Sequence, residues 1–326
     1  MPLLLTESDV REVLSTGDLI DAMEAALVAF SAGRVNQPLR TVLEVGEQRA
    51  FFGVMPACVP DPPALGTKLV TVFGGNAALG LPTHLATIVL LHPETGELLA
   101  LLDGRFITEA RTAAVSAVAT KLLANPDAGT LALIGTGVQA RSHLEAIGCV
   151  RLLREVRVWS PTASHRAAFV CDVEPPGGAR LLEAGSAEEA VFGADLIVLA
   201  TSSRDPVVRS AWVTAGAHVC AVGACRPDQR EMEGAFLGRA RVFVDSRTAA
   251  LAEAGDIVLA IAEGAFSADR IAGEIGGVAA GRVTGREHAA QVTVFKSLGM
   301  AVEDIAAAHL AYRRAAARGL GRGILL

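Results

Sequence analysis

The chain has 326 residues, enough for two domains, and a composition of 51% hydrophobic and 20% charged residues excludes a disordered protein. Its 33 glycines follow no three-residue period, which excludes a collagen-like chain and indicates many tight turns. The formal net charge is −6 and no basic run occurs, so nucleic acid is not an expected partner.

Two amphipathic helices are expected in the N-terminal segment TESDVREVLSTGDLIDAMEAALVAFSAGRV. Apolar residues recur there at helical spacing, Thr6 and Asp9 occupy capping-box positions, and Gly33 is a suitable stop. The residues before this segment have no basic start. Neither a secretory signal nor a transit peptide is therefore predicted, and we expect a cytoplasmic protein.

A largely antiparallel sheet is expected between Arg40 and Leu102. Turn residues separate its β-rich runs, which are TVLEV, AFFGVMP, TKLVTVF, ATIVLLHP and ELLALLD. The longest stretch without a charge, Leu69–Pro93, is broken by several glycines and Pro82, so it is not predicted to cross a membrane. The next segment, ITEARTAAVSAVATKLLA, predicts a long helix that ends near Pro126.

Repeated strand–turn–helix units follow Pro126. The short apolar runs TLALIG, EVRVW, DLIVLAT, HVCAVG and RVFVDS alternate with helical patterns, which predicts a parallel, doubly wound sheet and an α/β fold. The segment SLGMAVEDIAAAHLAYRRAAARG predicts one long amphipathic helix, which we expect to pack back on the first lobe. The Gly-Arg-Gly tail after this helix is expected to be mobile.

A dinucleotide-binding fingerprint lies between the first of these strands and its helix. The hexapeptide GTGVQA matches GxGxxA, follows TLALI and opens the helix VQARSHLEAIG. Gly135 permits the tight turn, Gly137 lets the backbone approach a pyrophosphate, and Ala140 lets the helix pack closely on the strand. The N–H groups at the helix start, which includes Val138 and Gln139, attract phosphate charge. We therefore predict a Rossmann-type sheet that binds a dinucleotide, rather than glycines that only shape a turn.

The end of the second strand predicts NADPH as the preferred cofactor, with NADH still usable. NAD-selective sites have an Asp or Glu here that accepts both ribose hydroxyls and repels a 2′-phosphate. The segment WSPTASHR has no acid, and it offers hydroxyl groups and a cation from Ser160, Thr162 and Arg166. The alternative is that Arg166 is a solvated helix residue and that both cofactors are accepted.

Three cations, Arg40, Lys68 and Arg111, stand at the edges of apolar elements in QPLRTVL, GTKLVTV and ITEARTAAV. A half-buried cation is costly unless it meets a carboxylate of the protein or of a substrate. From spacing alone, an ordinary surface charge is the better explanation of each. The seven histidines and five cysteines show no metal-ligand spacing and no CxxC pair, so neither a metal site nor a disulfide framework is predicted.

Eight segments are specific in combination: QPLRTVL, FFGVMPA, TKLVTVF, ITEARTAAVSAVATK, GTGVQARSH, AVGACRPDQRE, VDSRTAAL and TVFKSLGMAVED. Over nearly its whole length the chain resembles the ornithine cyclodeaminase and μ-crystallin family. The resemblance implies an N-terminal α+β domain for substrate binding and homodimerisation, residues 1–115, completed by the C-terminal helix in 299–326. It also implies a Rossmann domain for NAD(P) over 116–298.

The resemblance assigns site residues motif by motif. The arginine of QPLRT is Arg40, the lysine of TKLVT is Lys68 and the arginine of EARTAA is Arg111. These would hold the substrate carboxylate, with Lys68 near the reacting nitrogen as the catalytic residue. His84 of PTHLAT would lie near substrate and cofactor, although a buried structural histidine explains it equally well. Further cofactor contacts are implied for Thr112, Thr201, Gly223 and Ser297.

One segment, AVGACRPD, departs from part of the family. True ornithine cyclodeaminases have an aspartate at the place of Cys225 and use it on the side-chain amine of the substrate. This chain instead resembles the version found in ketimine reductases of the μ-crystallin type, where Cys225 would only shape the substrate pocket. Asp228 either substitutes for the missing acid or caps a following helix over QREME.

The resemblance, together with these residues, implies an oxidoreductase that reduces a cyclic imine carboxylate, pyrroline-2-carboxylate or piperideine-2-carboxylate, to proline or pipecolate. Hydride addition to C=N needs a protonated nitrogen, and a buried lysine between two arginines is a suitable donor or a support for a donor water. The alternatives are an ornithine cyclodeaminase and an amino-acid or N-alkyl amino-acid dehydrogenase. A non-enzyme alternative is an NADPH-dependent binding protein for small ligands. The presence of Arg40, Lys68 and Arg111 argues against it, since a pure binder needs no lysine beside a hydride donor.

Overall fold

The computed structural model describes residues 1–46 and 50–325. The strands are β1 (Leu3–Leu5), β2 (Thr41–Val45), β3 (Ala50–Pro60), β4 (Pro63–Val72), β5 (His84–Leu91), β6 (Leu98–Asp103), β7 (Thr130–Ile134), β8 (Glu155–Trp159), β9 (Arg180–Glu183), β10 (Leu196–Leu199), β11 (His218–Ala221), β12 (Arg241–Val244), β13 (Ile271–Glu274), β14 (Thr293–Lys296) and β15 (Arg322–Gly323). The helices are α1 (Glu7–Val13), α2 (Thr16–Ser31), α3 (Arg105–Leu123), α4 (Val138–Gly148), α5 (Ala163–Asp172), α6 (Ala187–Val191), α7 (Gly234–Arg239), α8 (Arg247–Glu253), α9 (Gly255–Ala262), α10 (Ile275–Ala279) and α11 (Ala301–Arg318).

The chain forms two compact units. The first unit comprises Met1–Arg111 together with Met300–Leu326, and the second unit comprises Thr112–Gly299. The first boundary therefore falls inside α3, and the second falls just before α11. Within the described parts of the chain, no helix has both the length and the apolar character that crossing a bilayer requires.

The first unit is built on a seven-stranded sheet with the order β15-β1-β6-β5-β4-β3-β2. The strands from β2 to β6 pair antiparallel, as their β-rich runs and intervening turn residues predict, and β1 adds to β6 in parallel. Helix α11 packs on β3, β4, β5 and α2. The predicted capping box of α1 is confirmed, since Asp9 N donates to Thr6 Oγ1 at 3.3 Å and Thr6 N donates to Asp9 Oδ2 at 2.9 Å.

The expectation of a mobile Gly-Arg-Gly tail is wrong. Gly323 and Arg322 pair antiparallel with Leu3 and Leu4, and this pairing forms β15. The free edge of β1 offers N–H and C=O groups that the tail satisfies. The last helix is also shorter than predicted, because it begins only at Ala301.

The second unit is built on an eight-stranded parallel sheet with the order β13-β12-β14-β11-β10-β7-β8-β9. Central strands such as β10, β11 and β14 are buried along their whole length, as expected when helices cover both faces. The strand order reverses at β7, so a crevice for a ligand is expected at the carboxyl ends beside the fingerprint. The Rossmann-type fold class is confirmed. Strands β9, β13 and β14 were not among the predicted strands.

The predicted QREME helix is wrong, because residues 229–233 are not helical. The backbone N–H groups of Glu231 and Met232 donate to Asp256 Oδ1 at 2.8 and 3.1 Å, and Met232 forms a parallel bridge with Val208. These contacts replace the hydrogen bonds of a helix. Asp228 therefore caps no helix here.

Candidate active site

A buried cluster of opposite charges forms inside the first unit. Lys68 on β4 is only 2% exposed, and its Nζ lies 2.5 Å from Oδ2 of Asp304 in the first turn of α11. Arg111 donates from Nε to Asp304 Oδ1 at 2.9 Å and from Nη1 to Glu303 Oε2 at 2.7 Å. The surface-charge explanation is therefore wrong for Lys68 and Arg111.

Local structure explains why these side chains meet. Lys68 is in register with Met55 on β3 and Ile88 on β5, and both neighbours are buried, so the strand alternation directs the lysine inward. The two carboxylates lie in the first turn of α11, where the positive end of the helix dipole favours negative charge. The Val302 N–H of the same turn donates to Gln37 Oε1 at 2.8 Å, which fixes where the helix begins.

The charges of this cluster shift one another's proton affinity. Burial lowers the pKa of Lys68 to about 8, Asp304 opposes this change, and Arg111 and Arg40 lower the pKa further. Arg40 is half-buried, and its charge acts on Lys68. Burial by itself would raise the pKa of Asp304, but Arg111 and Lys68 hold it below its usual value. The cluster therefore contains a carboxylate, Asp304, whose ionised form Arg111 and Lys68 stabilise.

His84 at the start of β5 lies beside this cluster. Burial, followed by Lys68 and Arg111, lowers the pKa of His84 to about 4. Its imidazole is therefore neutral near pH 7, where it adds no charge but offers a hydrogen bond. A contact of His84 with substrate stays a prediction.

The fingerprint loop of the second unit fits a dinucleotide. Gly135 has φ +124°, and a Cβ there would lie 2.6 Å from the Ala200 carbonyl oxygen, so only glycine suits this turn. Gly137 is the N-cap of α4, so no capping side chain occupies the start of this helix. The space around the missing Cβ of Gly137 is open. Beside it, Gln139 Oε1 is buried without a hydrogen-bond partner among the described residues. An approachable helix start and an unsatisfied polar atom are what a bound pyrophosphate and its ribose would use.

The end of β8 is tied to the fingerprint loop and to a cation. Thr136 Oγ1 donates to Ser160 Oγ at 3.3 Å, and Arg166 Nη1 donates to the Ser160 carbonyl oxygen at 2.7 Å. Arg166 Nε also donates to Glu183 Oε1 at 2.9 Å. The side chain of Arg166 is 14% exposed, so its interpretation as a solvated helix residue is wrong. Thr162 is the N-cap of α5 and makes no side-chain capping bond.

A buried network that the sequence did not reveal positions two predicted cofactor residues. Glu231 accepts N–H donations from Thr201 at 2.6 Å and Gly223 at 2.8 Å. Its neighbour Asp256 lies 3.0 Å from Lys296 Nζ, and all three charged side chains are fully buried. A Cβ on Gly223 would lie 2.0 Å from the Thr201 carbonyl oxygen, so the loops after β10 and β11 touch. The available signal for this network was the lysine that ends the apolar run TVFK, since a buried lysine needs carboxylate partners.

A second missed carboxylate fixes the loop that contains Ser297. Asp245 Oδ2 accepts from Leu298 N at 2.6 Å, from Gly299 N at 2.8 Å and from Ser297 Oγ at 3.3 Å. Asp245 follows β12 directly, at the sheet edge where ligands of such folds bind, and this position was the signal for it.

The remaining predicted residues lie in separate surroundings. Cys225 is partly buried, donates from Sγ to the Val222 carbonyl oxygen at 3.3 Å and lies within electrostatic reach of Lys296. Asp228, the candidate substitute for the missing aspartate, pairs with Arg226, with Oδ1 at 3.2 Å from Nε. Thr112 is half-buried on α3. Within 1–46 and 50–325, no group of three or more His, Cys, Asp or Glu side chains is arranged to hold a metal ion.

The fold and these sites define a two-unit dinucleotide-binding protein with a buried lysine–arginine–carboxylate cluster. Comparison with known proteins specifies this class further. The chain belongs to the ornithine cyclodeaminase/mu-crystallin family, whose family model matches residues 1–319. The family suggested by the eight sequence segments is therefore confirmed.

Individual relatives cover nearly the whole chain. Ketimine reductase mu-crystallin of Mus musculus is 44% identical over 315 residues, which are 95% of this chain and 96% of the mouse protein. The structure of Thermococcus litoralis Delta(1)-pyrroline-2-carboxylate reductase in complex with NADH and L-proline is 37% identical, with a TM-score of 0.96 and coverage of 99% of this chain and 100% of that one. An archaeal alanine dehydrogenase dimer with bound NAD is 32% identical, with a TM-score of 0.94 and coverage of 100% and 99%.

Proposed function

We propose that this chain is an NAD(P)H-dependent oxidoreductase that reduces the C=N bond of a cyclic imine carboxylate. The substrate is pyrroline-2-carboxylate or piperideine-2-carboxylate, and the product is the cyclic L-amino acid. The observation that supports this most strongly is the buried Lys68 bound to Asp304 beside Arg111. The similarity to a ketimine reductase and to a reductase solved with NADH and L-proline supports the substrate class.

The cations of the first unit bind the substrate carboxylate. The three cations Lys68, Arg111 and Arg40 outnumber the two carboxylates of the cluster, so the cluster has an excess of positive charge that attracts an anion. A guanidinium presents paired donors that suit a carboxylate, and neutral His84 adds a hydrogen bond. Holding the carboxylate in this way fixes the orientation of the imine, which can supply several kcal/mol of catalysis.

Lys68 donates the proton that the imine nitrogen needs. With a pKa of about 8, Lys68 is mostly protonated at pH 7 and is a stronger acid than an exposed lysine. Asp304 holds its ammonium group in place. A reduced nicotinamide, when bound, supplies the hydride to the imine carbon.

NADPH is the proposed cofactor, with NADH usable. Ser160, Thr162 and Arg166 provide hydroxyl groups and a cation at the end of β8, and β8 itself is followed by no acid that would repel a 2′-phosphate. The pyrophosphate is assigned to Gly135, Gly137, Val138 and Gln139, and the nicotinamide side to Thr112, Thr201, Gly223 and Ser297. Residues 116–298 are accordingly proposed as the NAD(P)-binding domain, and 1–115 with 299–326 as the substrate-binding domain.

The first unit is also proposed to form a homodimer. Edge strand β2 and the residue before Arg40 expose apolar side chains, namely Leu39, Val42, Leu43 and Val45. Exposed apolar edges of this kind mark association surfaces or aggregation sites. An association surface is the explanation supported by the similar archaeal alanine dehydrogenase, which is described as a dimer.

The experiment is a steady-state assay of NADPH oxidation with both cyclic imine acids, run beside pyruvate plus ammonia or methylamine, and beside ornithine with ammonia release as the readout. We expect turnover with an imine acid, and a loss of at least about a hundredfold in kcat for Lys68→Ala. Lys121→Ala, an exposed lysine on α3, is the matched control and keeps full activity. Ammonia release from ornithine without imine reduction would contradict the proposal, as would activity confined to open-chain substrates.

A further inference from the structure

The guanidinium of Arg166 is already engaged by an acid from a neighbouring strand. Arg166 Nε donates to Glu183 Oε1 at 2.9 Å, and Glu183 is the last residue of β9. Glu183 is in register with Val158, one residue before the end of β8. Although β8 itself ends without an acid, β9 therefore brings one to the same sheet edge.

This sheet edge is where the adenosine half of a dinucleotide lies in Rossmann-type folds. The bonds from Thr136 to Ser160 and from Arg166 to the Ser160 carbonyl oxygen connect the fingerprint loop, the end of β8 and the guanidinium. Arg166, which binds Glu183, is thus hydrogen-bonded to Ser160, the first residue after β8, where Rossmann-type sites distinguish a ribose hydroxyl from a 2′-phosphate.

We propose that Glu183 sets the balance between NADPH and NADH by competing with the 2′-phosphate for Arg166. A 2′-phosphate carries nearly two negative charges at pH 7, so it must displace the Glu183 carboxylate from Arg166 or approach it against repulsion. A ribose 2′-hydroxyl meets no such repulsion. Glu183 therefore weakens NADPH binding and leaves NADH usable. This inference rests on one part of the proposed function, namely that the cofactor is NADPH or NADH.

The test is Glu183→Gln, which keeps the size of the side chain and removes its charge. Dissociation constants of NADPH, NADH and 2′,5′-ADP are measured by titration calorimetry without any imine acid. We expect NADPH and 2′,5′-ADP to bind about tenfold more tightly, which corresponds to the removal of one partly screened like charge, and NADH to change less than twofold. Arg166→Gln should have the opposite effect, with NADPH and 2′,5′-ADP weakened about tenfold or more and NADH nearly unchanged.

Glu188→Gln is the matched control, because Glu188 is an exposed acid that lines one surface cavity together with Glu183, whereas Arg166 does not line that cavity. It should leave all three constants unchanged. Weaker NADPH binding by Glu183→Gln would overturn the inference, as would unchanged binding or an equal change for both cofactors. Binding as expected without turnover of any imine acid would overturn the proposed reaction and leave the role of Glu183 standing. Failure of the wild-type protein to bind either dinucleotide would overturn both.

Discussion

Lys68 and Asp304 are buried from water, and each stabilises the charge of the other. Their Nζ–Oδ2 distance is 2.5 Å, and Arg111 bridges the same carboxylate to Glu303. Removing one partner of a buried ion pair costs about 3–5 kcal/mol, because the other charge is left without compensation. The cluster therefore behaves as one unit, and a change at Asp304 acts on Lys68.

Asp304→Asn should shift the pH dependence of the proposed reaction. Asp304 is the group that raises the pKa of Lys68, so its neutralisation lowers that pKa below about 8. Only protonated Lys68 donates, so activity is present below its pKa and is lost as the pH rises through it. In wild type, kcat/KM should decline above about pH 8. In the variant the decline should begin at lower pH, with about a tenfold loss for each unit by which the pKa falls below the assay pH.

Profiles of kcat/KM between pH 5.5 and 9.5 check this prediction. Asp18→Asn is the control, since Asp18 on α2 also binds a cation of the first unit, with Arg314 Nη1 at 2.6 Å, but lies outside the cluster. It should lower stability by up to about 1 kcal/mol and leave the pH profile unchanged. A wild-type profile in folded Asp304→Asn would show that Asp304 does not govern the proton on Lys68.

The sequence singles out one half of this cluster only. Lys68 and Arg111 became candidates through the motifs TKLVT and EARTAA of the family resemblance, because spacing alone favoured an ordinary surface charge for each. Glu303 and Asp304 sit in an alanine-rich amphipathic helix, where a buried acid and a solvated acid look alike. Their meeting with Lys68 depends on which face of the sheet α11 covers, and no local pattern encodes that choice.

At the scale of elements, Asp245 holds the segment between β14 and α11. Asp245→Ala leaves the N–H groups of Leu298 and Gly299 and the hydroxyl of Ser297 without their acceptor. We expect the free energy of unfolding to fall by about 3 kcal/mol, as for unsatisfied buried donors. Because Ser297 is a proposed cofactor contact, the dissociation constant of NADPH should also rise several-fold. Denaturant titration and calorimetric binding measure the two effects.

Asp195→Ala provides the matched comparison. Asp195 Oδ2 accepts the N–H groups of Gly129 and Thr130, both at 2.9 Å, at the amino end of β7 and so away from the edge where ligands bind. Its loss should destabilise the same unit without weakening NADPH binding. An equal effect of both variants on binding would mean that Asp245 acts through stability alone.

Element prediction succeeded where apolar β-branched runs are uninterrupted, as in β7 and β11. It missed β9, β13 and β14, because RLLE, IAGE and TVFK are short and contain a charge or a glycine. Lys296 is compatible with a central strand because Asp256 lies 3.0 Å away and Glu231 adds a second negative charge. Likewise, 229–233 has the composition of a helix, and buried Asp256 holds its backbone in another conformation. Tertiary partners outweighed local propensity at each of these places.

For the molecule as a whole, Leu43→Asp tests the proposed homodimer. Leu43 is 56% exposed on edge strand β2, and a carboxylate there would be buried without a partner at an apolar interface. Light scattering coupled to gel filtration should give the mass of two chains for wild type and of one chain for the variant. Leu152→Asp, at a 76% exposed leucine of the second unit, should remain dimeric. A monomeric wild-type protein, or a dimeric Leu43→Asp variant, would contradict the proposed interface.

The first unit is discontinuous in sequence, whereas the second unit is a single uninterrupted segment. On the ribosome, Lys68 and Arg111 emerge long before Asp304 and Glu303, and the sheet surface that α11 covers stays open while all of the second unit is translated. A nascent chain can thus finish its nucleotide-binding half early, but it completes the cluster of opposite charges only after α11 has been made. Prematurely terminated chains that lack this helix expose two uncompensated cations and an uncovered sheet, both of which are features that quality-control proteases and chaperones recognise.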